Sequence, residues 1–136
     1  MTQPSRPPTT ALPPAAILLG RRVSDGEAVA GTAVVEFLAK PEFANRHGTV
    51  QGGLLAAMLD SATGSTLMDT LPAELTAVTT ELTTHFLKPA PVGPLTASVR
   101  IVSRDDRDAE LEAALAAPDG VVVARATAKF RILKRG

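Results

Sequence analysis

Asp60 is the single charged residue between Gly52 and Met68, a stretch otherwise made of Gly, Ala, Leu, Met, Ser and Thr. A carboxylate in the middle of an apolar helix loses much of its hydration, so it needs either partners or a task. One reading is a carboxylate paired with a nearby Thr or backbone amide at a subunit contact; the other is a general base or nucleophile. Eight residues earlier the pair Gly52-Gly53 opens the same run. The first N–H groups of a helix have no internal partner and sit at the positive end of its dipole. With no side chain in the way, those amides suit an oxygen that carries or develops negative charge. The two halves cannot serve one carbonyl within one chain, because eight helical residues at 1.5 Å each separate them by about 12 Å. A site that uses both requires a second subunit.

The elements that hold these groups follow from pattern. The glycines allow a sharp backbone turn before the helix. A helix is expected over residues 52–69, stopped by Leu71-Pro72, and it is apolar on nearly all sides, so it should be wrapped on most of them. Residues 78–88 alternate, with Val78, Thr80, Leu82, Thr84 and Phe86 on one face and Thr79, Glu81, Thr83 and His85 on the other. Further strands are expected over residues 95–101, 108–116 and 121–133, joined by turns at residues 89–94, 104–107 and 118–120. Upstream, residues 28–38 are β-rich and end before Pro41. Residues 15–20 could begin a strand or a helical turn, and Ser24-Asp-Gly26 reads as a hairpin. Residues 1–14 hold five of the eleven prolines and should form a disordered tail ahead of a single domain over residues 15–136. One helix cannot cover both faces of such a sheet. The economical α+β solution is a curved antiparallel sheet of five to six strands wrapped around the helix, with an unpaired edge open to dimer pairing.

Composition narrows the functions. Fourteen basic and fourteen acidic residues give a formal net charge of zero, which argues against nucleic acid or an anionic membrane as partner. The absence of cysteine removes thiolate nucleophiles, disulfides and thiolate metal sites, and two histidines make a His-rich metal site a poor expectation. No metal or cofactor is expected. No apolar run reaches about 18 residues and no signal pattern opens the chain, so a cytoplasmic location is expected.

Asn45, the Gly48-Thr-Val-Gln-Gly-Gly53 segment and Asp60 nine residues after Gln51 resemble the hotdog-fold acyl-CoA thioesterases of the phenylacetic-acid-degradation type, within the 4-hydroxybenzoyl-CoA thioesterase superfamily. The resemblance covers roughly residues 18–133, including Phe86-Leu-Lys-Pro-Ala90, Gly93-Pro-Leu95 and the closing strand. It departs at Gln51, where the family most often has His; an amide can make the orienting hydrogen bond but cannot titrate. The resemblance implies an acyl-CoA substrate with an aryl, arylacetyl or medium-chain acyl group. It also implies a homodimer with shared sites, assembled further as a dimer of dimers.

On that reading Asp60 is the nucleophile or general base and Gly53, with Gly52, polarises the thioester. Asn45 binds the thioester or positions water, or else stabilises its loop. Gln51 orients the site. Thr79 holds the attacking water, or reflects β propensity alone, and Thr63, three positions past Asp60, is in reach of its carboxylate. Lys88 is the best placed of Lys88, Arg125, Lys129 and Arg131 to meet coenzyme A phosphates. Alternatives are a hydratase or dehydratase built on His47 and Asp60, and an acyl-CoA binder without catalysis.

Overall fold

The computed structural model describes residues 12–22 and 31–136. Most of the expected tail and the Ser24-Asp-Gly26 hairpin lie outside the described residues. A short helix α1 (Pro14–Leu18) begins where the tail was expected to end; proline suits a first helical turn, where its missing N–H has no partner to lose. The chain continues through β1 (Thr32–Ala39), a 3-10 turn (Pro41–Phe43), the long helix α2 (Gly52–Met68), β2 (Leu75–Phe86), β3 (Gly93–Arg104), β4 (Asp108–Ala116) and β5 (Val122–Lys134). The strands form one antiparallel sheet in the order β1-β3-β4-β5-β2. One sheet of five strands against one long helix is the hotdog arrangement.

Alternation explains the packing. Leu95, Ala97 and Val99 of β3, Ala109, Leu111, Ala113 and Leu115 of β4, and Ala124, Ala126, Ala128, Phe130 and Ile132 of β5 are buried. They meet Leu55, Met58, Leu59, Ala62 and Leu67 from α2. Each such leucine removed from water contributes about 2 kcal/mol, so the helix and sheet are stable only together. Coverage of the helix is one-sided, however. Gly53 is exposed, and Ala56, Ala57, Asp60, Ser61, Gly64 and Ser65 are half-exposed. The expected wrapping on most sides is therefore not achieved within one chain.

The two sheet edges differ. Along β1, the Arg22 N–H donates to the Glu36 carbonyl (2.9 Å) and the Leu38 N–H to the Gly20 carbonyl (3.0 Å), so residues 20–22 cover part of that edge. Gly20 has φ of 70°, and a Cβ there would lie 2.5 Å from the Leu38 oxygen, so only glycine fits. At the other edge β2 pairs with β5 alone. Its register slips between Thr79 and Glu81, leaving Thr80 as a bulge. Thr79 lies opposite the buried Phe130, and Leu82, Thr84 and Phe86 lie opposite buried Ala128, Ala126 and Ala124. A bulge inverts the alternation beyond it. Thr79 thus shares the helix-side face with Leu82, Thr84 and Phe86, and not the face of Glu81 to which simple alternation assigned it. Glu81 points outward to Lys129 (3.5 Å).

Candidate active site

Strand β2 runs antiparallel along the open flank of α2. Gly52 meets the Phe86 ring, Asp60 meets Thr79, and Met68 meets Thr76. The chemistry-bearing residues fall at two stations along this seam.

At the first station the loop over residues 45–51 leads into α2. Asn45 Oδ1 accepts from the N–H groups of His47 (2.9 Å) and Thr49 (3.2 Å) and lies 3.3 Å from the Thr49 hydroxyl. The loop-stabilising reading of Asn45 is thus realised at its oxygen, and its Nδ2 donors are the half of the amide suited to a ligand oxygen. Gly48, with φ of 80°, makes the sharp turn expected at Gly52 and Gly53, both of which lie in the helix. Gln51 is the residue before the helix. Its carbonyl accepts from Leu54 (2.9 Å) and Leu55 (3.3 Å), and its N–H donates to the Phe43 carbonyl (2.9 Å). The helical ladder therefore starts at Leu54, and the N–H groups of Gly52 and Gly53 stand outside it. The exposed Gln51 side chain makes no capping bond. A Cβ at Gly53 would meet nothing within 4 Å. The segment after β2 flanks this loop, with the Val50 N–H on the Ala90 carbonyl (2.9 Å). Lys88, two residues before Ala90, is exposed, with its N–H on the Val123 carbonyl (3.2 Å).

At the second station Asp60 is half-buried, and its Oδ1 accepts from the Thr79 hydroxyl at 2.7 Å. Asp60 takes part in no ion pair among the described residues. Thr63 does not supply the expected contact. It is fully buried, and its hydroxyl lies 2.9 Å from the Leu59 carbonyl and 3.1 Å from the backbone carbonyl of Asp60. On a helix a Thr hydroxyl commonly turns back to the preceding turn in this way. One contact had no counterpart in the sequence reading: Arg21 reaches α2 from the N-terminal segment, with Nη1 donating to the Ser61 hydroxyl (2.9 Å). Burial pulls the Arg21 guanidinium below its ordinary pKa, and the charge of Asp69 opposes that shift.

Arg125, Lys129 and Arg131, the other cations expected near the coenzyme A phosphates, lie on the outer face of the sheet. Lys129 and Arg131 pair with Glu81 and Asp108 on the outer face of the sheet. A concavity of about 820 Å³ also lies on that outer face, lined by Val34, Ser98, Arg100, Glu112, Arg125 and His85 among others. It holds none of Asp60, Gly53, Asn45 and Gln51. The sheet separates it from the helix, so it is not the place where the carboxylate acts. No group of three or more His, Asp or Glu able to hold a metal occurs among the described residues. No helix among them is long and apolar enough to cross a membrane.

Residues 47–127, which carry the loop, α2 and most of the sheet, match the family model described as the thioesterase superfamily. The chain belongs to the thioesterase superfamily. Within the superfamily it is 32% identical over 104 residues to a Saccharolobus solfataricus protein named as an esterase, covering 76% of this chain and 74% of that one. A thioesterase-type, phenylacetic acid degradation-related protein from Ralstonia eutropha superimposes with a TM-score of 0.83 at 34% identity, over 89% of this chain and 92% of that one. The BH2602 protein of Bacillus halodurans, whose crystal structure contains CoA, gives 0.79 at 30% identity, over 91% and 78%.

Proposed function

We propose that this thioesterase-superfamily protein hydrolyses acyl-CoA thioesters of aryl, arylacetyl or medium-chain acids, at sites shared between two subunits. The observation that carries the reading is the Asp60 carboxylate, held by the Thr79 hydroxyl at 2.7 Å with no ion pair among the described residues, on the same open seam as the bare amides of Gly52 and Gly53. A carboxylate fixed by one neutral donor keeps its second oxygen for a proton. The bound coenzyme in the Bacillus relative supports CoA as the carrier.

Seven helical residues part Gly53 from Asp60, about 10 Å along the axis, so the two do not meet at one thioester within a chain. A two-fold partner laid along the β2 edge brings its own helix antiparallel to α2, with Asp60 of the partner subunit near Gly53. Val78 and Leu87, exposed on and just after β2, are apolar surface that such pairing covers. The thioester oxygen then accepts from the Gly53 N–H, with Asn45 Nδ2 and Gln51 orienting the loop side. Asp60 of the partner subunit takes a proton from water, and the hydroxide adds to the carbonyl carbon. The oxyanion is stabilised by the amide and the helix dipole. Its collapse breaks the C–S bond, and the thiolate of CoA recovers the proton from Asp60. Lys88 faces the phosphates of CoA.

The test is a panel of acyl-CoAs scored by free-thiol release. Turnover of at least one aryl, arylacetyl or medium-chain member is expected. Binding of CoA esters with no thiol released from any of them would replace this reading with that of a non-catalytic binder.

A further inference from the structure

We infer that Phe86 selects the acyl group, its ring forming the wall against which an aromatic substituent on the polarised carbonyl packs; this rests on the acyl-CoA reading above. The chain has four phenylalanines. Phe37, Phe43 and Phe130 are 2%, 7% and 3% exposed, whereas Phe86 is 54% exposed. The exception lies beside the bare amides. Paired with buried Ala124, Phe86 lies on the helix side of β2, and a Cβ on Gly52 would stand 3.4 Å from its Cε1 and 3.5 Å from its Cζ. Gly52 is bare where the ring approaches, and Gly53 beside it faces open space.

With its oxygen about 2.9 Å from the Gly53 nitrogen, one residue on from the Gly52 that the ring flanks, the thioester has its sulfur and acyl carbon within reach of the ring. Of these two substituents, the acyl group fits. The pantetheine arm carries amides that need hydrogen-bond partners, while the strand face leading away from Phe86 offers half-buried Leu82, with only the Thr84 hydroxyl between them. An apolar wall with one flat ring favours an aryl or arylacetyl group over a short alkyl one.

The experiment uses two non-hydrolysable thioether ketones of CoA, one ending in phenyl and one in methyl. Their binding to the full chain is measured by calorimetry, so the readout does not depend on turnover. The wild-type protein should prefer the phenyl analogue, and Phe86→Ala should cut that preference about tenfold, the scale set by losing an aromatic contact together with its apolar area. Phe86→Leu, which keeps apolar bulk, should lose most of the same preference, and Phe86→Tyr should keep it. Melting temperatures of the variants report whether the fold is intact. A preference in Phe86→Ala within about twofold of wild type, or an equal loss for both analogues, overturns the assignment, because a merely structural or pantetheine-contacting ring moves both alike. If neither analogue binds the wild-type protein, the acyl-CoA reading fails and takes this inference with it. Selective binding without thiol release from thioesters leaves Phe86 assigned and removes only the catalytic step.

Discussion

The Thr79 hydroxyl donates to Asp60 Oδ1 at 2.7 Å, and it can do so because the ladder between β2 and β5 slips at Thr80. Without that extra residue, Thr79 would share the outward face of Glu81 and the carboxylate would have no donor from the strand. The slip thereby puts Thr79 on the same helix-side face as Leu82, Thr84 and Phe86, so one irregularity organises the whole seam.

Asp60→Asn keeps the side-chain shape and removes the base. We expect thiol release to fall by at least about 100-fold with the melting temperature held near wild type, as for loss of a general base. Near-normal turnover in the folded variant would show that the carboxylate is structural.

Thr79→Ala removes the donor to Asp60, and Thr79→Ser keeps it. Because the pair is solvent-accessible, the expected loss in kcat for the alanine variant is about tenfold, the scale of one hydrogen bond to a charged acceptor. The serine variant should recover most of it. Equal rates for Ala and Ser would show that the hydroxyl plays no part in catalysis.

Gly53→Val and Asp60→Asn should each leave a homodimer nearly inactive. A Cβ at Gly53 meets nothing within 4 Å among the described residues, so the valine variant should fold and fail only in seating the carbonyl. After random exchange of the two variants, half the dimers are mixed and each has one intact site, so activity should return to about one quarter of wild type. Demonstrated exchange without any return of activity would place both residues in one site within a chain.

Gln51→His should be tolerated, with activity preserved or raised, since Gln51 serves the helix start through its backbone and its side chain makes no capping bond. A folded Gln51→His protein with no activity would mean that this chain uses the amide in a way the usual histidine cannot replace.

Asp105 caps the turn between β3 and β4, where its Oδ1 accepts from the N–H groups of Arg107 and Asp108, both at 2.8 Å. Those donors favour the charged form and hold the carboxyl below its usual 3.8. A depressed folded value contributes stability above the unfolded value, and that contribution is lost as pH falls through the folded one. Asp105→Asn should therefore lower the melting temperature at neutral pH, and the difference from wild type should shrink below the usual carboxyl range. A gap of constant size across that range would remove the charge from the explanation.

The sequence by itself determined what depends on local pattern. The apolar run after Gly52 and the proline at position 72 bounded α2 to within a residue, and strict alternation in residues 109–115 named the buried face of β4, because side-chain period and breaker residues act within a few positions. Asp60 stood out for the same reason, as a charge with no neighbour of its kind. Tertiary structure alone decided what depends on residues far apart in the chain. The order β1-β3-β4-β5-β2, the bulge at Thr80 that brings Thr79 to Asp60, and the Phe86 ring over Gly52 all arise from pairing β2 with β5, about fifty residues away. Thr63 shows the limit most plainly. Helical spacing put its hydroxyl in reach of both a carboxylate and a backbone carbonyl, and burial against the sheet turned it to the carbonyl. Only the packed chain ranks two such partners, because only there does desolvation fall on one side of the helix and water remain on the other.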